Sequence, residues 1–334
     1  MSYQNLILID NIFQSWNEFR KGKGERVDVQ EFERHLEDNL FNLHRALSEE
    51  TYWHGSYQSF YVQDPKRRHI HKANVQDRII HRLLYNFMYE FFDKNFIFDS
   101  YSCRLRKGTH RAVLRLEKFT KVVSKNYTKP CWALKCDIKK FFANVDQEIL
   151  FRLLEKRIKE EDILRLLSQI IKSFHSESGK GKGIPLGNLT SQVFANIYLN
   201  ELDQFIKHKL KIKYYLRYAD DFLLLSQDKR YLERLVNPIK YFLKGTLNLK
   251  LHPKKIVFRK LDWGIDYLGY IVLPHYRLPR TKTKRRIYLK MKDKSGSTSF
   301  RQSLASYLGY LSHANSFKIS QNLKNQIWLW RNAW

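Results

Sequence analysis

Cysteine is scarce in this 334-residue chain, and its three examples, Cys103, Cys131 and Cys136, make neither a Cys-x-x-Cys pair nor a Cys/His zinc set. Free thiols are expected, with Cys131 and Cys136 serving as small buried side chains on a strand. Glycine (13) and proline (7) are thinly spread, so no flexible linker stands out. No repeat or low-complexity tract is visible either, and any lobes should be interleaved. Long apolar runs are missing: none approaches the roughly 20 residues of a spanning helix. The opening MSYQNLILIDNIFQSW lacks a basic segment, an apolar core and a small-residue cleavage site, so no signal peptide is expected and a cytoplasmic location is.

Acidic residues are also short, 33 against 61 Lys and Arg, a formal charge of +28. That excess points to a polyanion, and nucleic acid fits better than a membrane surface. A hydrophobic fraction of 43% is enough for two or three lobes around a real core, which excludes disorder as the default state.

Residues 30–50 and 77–92 place apolar side chains at helical spacing, predicting amphipathic helices. CWALKCDI (131–138) alternates and ends at Asp137, as a strand would. KYYLRYADDFLLLS (213–226) sets Tyr-Ala-Asp-Asp between two short apolar runs, predicting a hairpin whose tip presents Asp220 and Asp221. Residues 191–210 read as a helix entered from the loop IPLGNLT, and FRQSLASYLGYLSH as another near the end.

Any one of these Asp residues taken alone reads more readily as a turn or cap residue than as a catalytic one. Together, in a strongly basic chain, they suggest nucleotidyl transfer. Two Mg²⁺ ions, one activating a 3′-hydroxyl and one neutralising pyrophosphate, require hard oxygen ligands. Asp137 and Asp220 would supply them, with the Ile138 carbonyl completing a site and Asp221 in support.

KCDIKKFF, IPLGNLTSQ, YADD, LHPKKIVF and IDYLGYIV, in this order, resemble the five palm motifs of the reverse-transcriptase family. Upstream, PKRRHI (65–70) and DSYSCRLRKGTHRAV (99–113) are similar to its finger motifs. The resemblance implies an α/β (α+β) right-hand polymerase. Its parts would be an N-terminal helical extension (1–60), fingers (61–130), a palm of antiparallel sheet and helices (131–275, with a finger insertion at about 145–185) and a short helical thumb (276–334). It implies RNA-directed DNA polymerase activity with two Mg²⁺, Mn²⁺ being a substitute, and template RNA, an RNA/DNA duplex and dNTPs as partners.

Residue by residue, it puts Phe142 beneath the incoming sugar, where an aromatic ring leaves no room for a 2′-hydroxyl. Lys255 matches the general acid that protonates pyrophosphate, with Lys254 as the neighbouring alternative. Lys66 and Arg68 are candidates for the triphosphate. Leu186, Gly187, Ser191, Gln192 and Arg104 are assigned to nucleotide or template support. Most members of the family carry Gln before this Gly and Pro after this Ser, whereas here the residues are Leu186 and Gln192. That departure resembles the enzymes of diversity-generating retroelements, which copy with errors opposite adenine and work with a basic accessory variability protein.

Three other readings compete. Residues 270–334 are expected to form a short basic thumb rather than the added domains of a group II intron maturase. A related enzyme of an antiphage defence system would use the same chemistry on a different non-coding RNA. A non-catalytic RNA scaffold fits poorly with all the acids in place.

Overall fold

A computed structural model describes residues 2–63 and 66–332. Helices α1 (Tyr3–Leu6), α2 (Ile9–Arg20), α3 (Val27–Glu33) and α4 (Leu36–Ser48) precede the hairpin β1 (Gln58–Gln63) and β2 (Arg67–Lys72), then α5 (Val75–Phe92) and α6 (Thr109–Val123). Strand β3 (Trp132–Asp137) leads into α7 (Phe141–Asn144), α8 (Gln147–Glu155), α9 (Glu161–Lys172) and α10 (Leu189–Gln204). The hairpin β4 (Tyr215–Tyr218) and β5 (Asp221–Ser226) and helix α11 (Lys229–Leu247) come next. Strands β6 (Val257–Lys260), β7 (Ile265–Tyr267), β8 (Tyr270–Val272) and β9 (Arg277–Pro279) lead to helices α12 (Thr281–Asp293), α13 (Phe300–Ser312) and α14 (Phe317–Asn332).

The chain forms two interleaved compact units, one of residues 1–103, 138–211 and 237–253, the other of 104–137, 212–236 and 254–334. Residue 60, the expected end of the helical extension, falls within β1, and residue 275, the expected end of the palm, falls in the connection between β8 and β9.

In the first unit α5 packs against both α2 and α10. Its buried Ile79, Ile80, Leu83, Leu84 and Met88 recur at helical spacing, each worth about 1.5–3 kcal/mol when fully buried. Asn74 caps α5 by accepting the Asp77 amide at 2.8 Å. Asp77 is itself buried and takes the Tyr52 hydroxyl at 2.8 Å and the Gly55 amide at 3.0 Å. His54 and His81 meet at 3.2 Å through their Nε2 atoms, and His81 Nδ1 lies 2.8 Å from Thr190 Oγ1. This buried polar chain fixes the start of α10. The single helix expected over 30–50 is instead two, broken between Glu33 and Leu36 at His35, with Asn39 Nδ2 donating to the freed Phe32 carbonyl at 3.0 Å. Helix α10 ends in a π-helical turn, Phe205–Lys209.

The second unit is built on an antiparallel sheet of order β4-β5-β3-β6. Alternation along β3 divides Trp132, Leu134 and Cys136 from Ala133, Lys135 and Asp137. A second sheet, β7-β8-β9, leads into a three-helix bundle whose own core is Ile287, Met291, Phe300, Leu311, Leu323 and Ile327. No helix among the described residues is long and apolar enough to cross a membrane. Cys103 is exposed, Cys131 and Cys136 are buried, and all three are free. Burial pushes the Cys131 thiol up to about 12, which leaves it unreactive.

Candidate active site

The site grows out of strand register. Asp137 at the end of β3 lies directly opposite Asp221 at the start of β5, so both side chains leave the same face of the sheet. Tyr218 pairs with Asp221 and closes a two-residue turn of Ala219 and Asp220. Ala219 sits at φ +52°, the left-handed conformation that tight hairpin turns demand and that costs a residue with a Cβ about 1–2 kcal/mol. Arg217 steadies this turn from the opposite face: its guanidinium is fully buried and Nη1 donates to the Ala219 carbonyl at 3.1 Å.

Three carboxylates held this closely repel one another. Burial, then the charge of Asp137 and that of Asp221, push Asp220 up to about 6. Asp221 is raised as well, chiefly by burial, although Lys135 opposes the shift. Two lysines offset the cluster. Lys255 Nζ lies 2.7 Å from Asp137 Oδ2 and Lys135 Nζ lies 3.1 Å from Asp221 Oδ2. Lys135 also donates to the Asp266 carbonyl of β7 at 3.2 Å, and Asp266 pairs with Arg280.

A divalent cation fits this donor set. Asp221 Oδ1 is buried with no hydrogen-bond partner, and the raised Asp220 carboxylate is short of positive charge. Among the described residues no three acidic, His or Cys side chains by themselves form a metal cage. Backbone oxygen or substrate oxygen would have to complete the coordination.

The remaining candidates lie in the first unit, apart from Arg104 at the start of the second, which is half-buried. Ile138 follows Asp137 in the chain, is buried and bridges to Leu251. Phe141 takes the core position at 1% exposure, while its neighbour Phe142 is only half-buried and has its ring centroid 5.2 Å away. Core packing therefore accounts for Phe141 and leaves Phe142 available. Gly187 has φ +121°, and a Cβ there would come within 2.9 Å of Ile70 Cγ2 and 3.2 Å of the His71 carbonyl. The close approach this glycine permits is thus to strand β2, where His71 N donates to the Leu186 carbonyl at 2.8 Å. Leu186 is half-buried; Ser191 is buried and Gln192 exposed on the first turn of α10.

Lys66 and Arg68 are exposed on the β1–β2 hairpin, Arg68 opposite Val62. Pro65, the first residue of PKRRHI, lies outside the described residues. Arg67, on the other face, stacks its guanidinium 3.9 Å over Tyr61, which stacks in turn on His69 at 4.5 Å.

Sequence reasoning missed Lys135 and Arg217. Both signals were present: Lys135 precedes Asp137 by two positions and so shares its face, and Arg217 is a lone charge in an apolar strand, which needs an internal partner.

A family profile described as reverse transcriptase (RNA-dependent DNA polymerase) matches residues 63–272. Among curated proteins, Protein YkfC of Escherichia coli is 24% identical, the match covering 59% of this chain and 60% of YkfC. Group II intron-encoded protein LtrA of Lactococcus lactis is also 24% identical, over 53% of this chain and 30% of LtrA. The chain thus spans less than two thirds of either relative. Among solved structures, apo telomerase from Candida tropicalis superposes with a TM-score of 0.54 at 11% identity, covering 75% of this chain and 51% of the other. Telomerase from Candida albicans, in complex with a fragment of telomeric RNA, gives 0.52 at 11% identity, over 83% and 60%. These likenesses show the polymerase fold. With more than half of its length matched and its acids in one cluster, the chain belongs to the reverse transcriptase (RNA-dependent DNA polymerase) family.

Proposed function

We propose that this chain is an RNA-directed DNA polymerase that extends a primer with dNTPs along an RNA template. One observation carries the reading: Asp137 and Asp221 face each other across neighbouring strands with Asp220 at the adjoining turn, where burial first and then the charge of Asp137 raise Asp220 to about 6. Bound Mg²⁺ would supply charge neutralisation at the attacking and departing oxygens. Asp137 and Asp220 would hold the ions, with the Ile138 carbonyl completing a site and Asp221, clamped by Lys135, in support. Lys255, which pairs with Asp137 at 2.7 Å, would be the general acid that gives a proton to departing pyrophosphate. Phe142 acts as the steric filter against ribonucleotides, and Lys66 and Arg68 bind the triphosphate.

The template is proposed to be copied with errors opposite adenine, in the manner of diversity-generating retroelements, aided by a basic accessory protein. Leu186 supports this: its carbonyl is engaged by β2, and its hydrocarbon side chain offers no hydrogen bond to discipline a nascent pair. RNA-templated extension with dNTPs or rNTPs, followed by sequencing of the product, tests both levels. DNA product with errors concentrated at template adenines, reduced by Leu186→Gln, supports the full reading. DNA product of uniform accuracy removes the diversifying role and favours a defence-type enzyme, and RNA product removes the assignment as a DNA polymerase.

A further inference from the structure

Tyr310, on α13, lies outside the acid cluster yet is tied to it through a short run of contacts within the second unit. The hairpin β7–β8 turns through Leu268 and Gly269, both in left-handed backbone at φ +48° and +94°. The Tyr310 hydroxyl donates to the Gly269 carbonyl at 2.6 Å, and the Tyr270 hydroxyl donates back to the Tyr310 carbonyl at 2.9 Å. The two rings stack, with centroids 4.7 Å apart and planes at 24°. Gly269 has no room for a side chain, since a Cβ would meet the Tyr310 hydroxyl at 2.9 Å. This is a reciprocal clasp between a hairpin tip and a helix.

What it joins gives it a role. On one side, the hairpin is braced to the acids, because Lys135 pairs with Asp221 while donating to the Asp266 carbonyl. On the other side, Tyr310 packs against the core of the three-helix bundle. That bundle carries α12, where Lys282, Lys284, Arg285, Arg286, Lys290 and Lys292 face a single acid, Asp293. A helix of this charge suits the phosphates of a duplex leaving the acids. If the bundle rocks, the duplex end moves away from the acids between additions.

We propose that Tyr310 is a positioning residue for polymerisation: it latches the basic bundle to the hairpin that braces the acid cluster, and so holds the primer end in register through successive additions. This rests on the polymerase reading above.

The test uses the full chain, a heteropolymeric RNA annealed to a DNA primer, and a heparin trap that limits extension to one encounter. Tyr310→Phe keeps the ring and removes only the hydroxyl. Loss of the part-buried hydrogen bond to Gly269, together with the hydroxyl's contact with Thr283 on α12, should shorten the mean product about fivefold and raise KM for primer–template to a similar degree. The rate of single-nucleotide addition at saturating primer–template should stay at the parent value, which a general structural defect would not allow. Tyr270→Phe should act in the same direction, and the double variant should lose less than the product of the two effects, because both hydroxyls serve one latch. Parental product length in both variants, or a single-nucleotide rate that falls in step with product length, would overturn the proposal. If the parent itself extends no primer, the polymerase reading fails; parental extension with normal processivity in the variants removes the latch alone.

Discussion

Lys135 lies two residues before Asp137 on β3 but pairs diagonally with Asp221 on β5, at 3.1 Å. One strand thus contributes both an acid of the cluster, Asp137, and the cation that neutralises a different acid. Two of the three carboxylates are thus held by lysines, Asp137 by Lys255 at 2.7 Å and Asp221 by Lys135, while Asp220 sits at the turn between β4 and β5.

Replacing Lys135 should therefore separate affinity from rate. Lys135→Met removes a positive charge from the cluster, and Mg²⁺ should bind about five times more tightly, the effect of roughly 1 kcal/mol of lost repulsion. The rate at saturating Mg²⁺ should fall about tenfold as Asp221 loses its clamp, and Lys135→Arg should recover most of it. Titration calorimetry with Mg²⁺ beside single-turnover kinetics checks both, and weaker binding in Lys135→Met would contradict the assignment.

The acid cluster is a burden on the metal-free fold. Asp220 has its pKa raised to about 6 from 3.8, so above pH 6 its ionised form costs stability, and the cost is relieved as pH falls from 6 towards 3.8. At pH 7.5 Asp220→Asn should stabilise the metal-free protein by about 2 kcal/mol, a value discounted for partial exposure. Adding Mg²⁺ should raise the melting midpoint of the parent and leave the variant unchanged. Thermal melts in chelator and in Mg²⁺ test this, and a variant less stable than the parent in chelator would count against the cost of burying this carboxylate beside Asp137.

His81 behaves with the opposite sign. Burial, then the neighbouring His54, lowers its pKa from 6.5 to about 3. Below pH 6.5 the unfolded chain binds a proton that the folded chain refuses, so stability drops with pH until about pH 3. Urea unfolding at pH 7.5 and pH 5 should show the parent losing about 2 kcal/mol more than His81→Gln. Asp220 titrates in both proteins and cancels from the comparison. Parallel losses would mean that His81 is not held neutral.

Gly187 is required by packing against β2. With φ at +121° and Ile70 and the His71 backbone within 3.2 Å of an added Cβ, Gly187→Ala should destabilise the fold by about 2–3 kcal/mol. It should also lower nucleotide incorporation by displacing the loop before α10. Melting and incorporation measured together decide between this and a direct role at the template, which would leave the melting midpoint unmoved.

Much of this arrangement is legible in the sequence, and the gaps have physical causes. The strand ending at Asp137, the YADD hairpin and the helices α5, α10 and α13 follow from alternation and from helical spacing, which act locally. The break at His35 carries no Gly or Pro; it depends on Asn39 reaching back to the Phe32 carbonyl. Lys135 was readable as sharing the Asp137 face, but its choice of Asp221 is a matter of register between strands far apart in the chain. Gly187 announces a close approach without naming the partner, which is β2. Helix α12 reads as a basic segment, while its anchor, the clasp of Tyr310 on Gly269, joins residues 41 apart through one side-chain hydroxyl.

The most direct test of the central claim is Mg²⁺-dependent extension of a DNA primer on RNA by the parent and by Asp220→Asn at equal folded concentration. The account predicts DNA product from the parent and a loss of at least about a thousandfold in the variant, the scale expected when charge stabilisation at the reacting oxygens is removed. Extension by Asp220→Asn at the parental rate would contradict it.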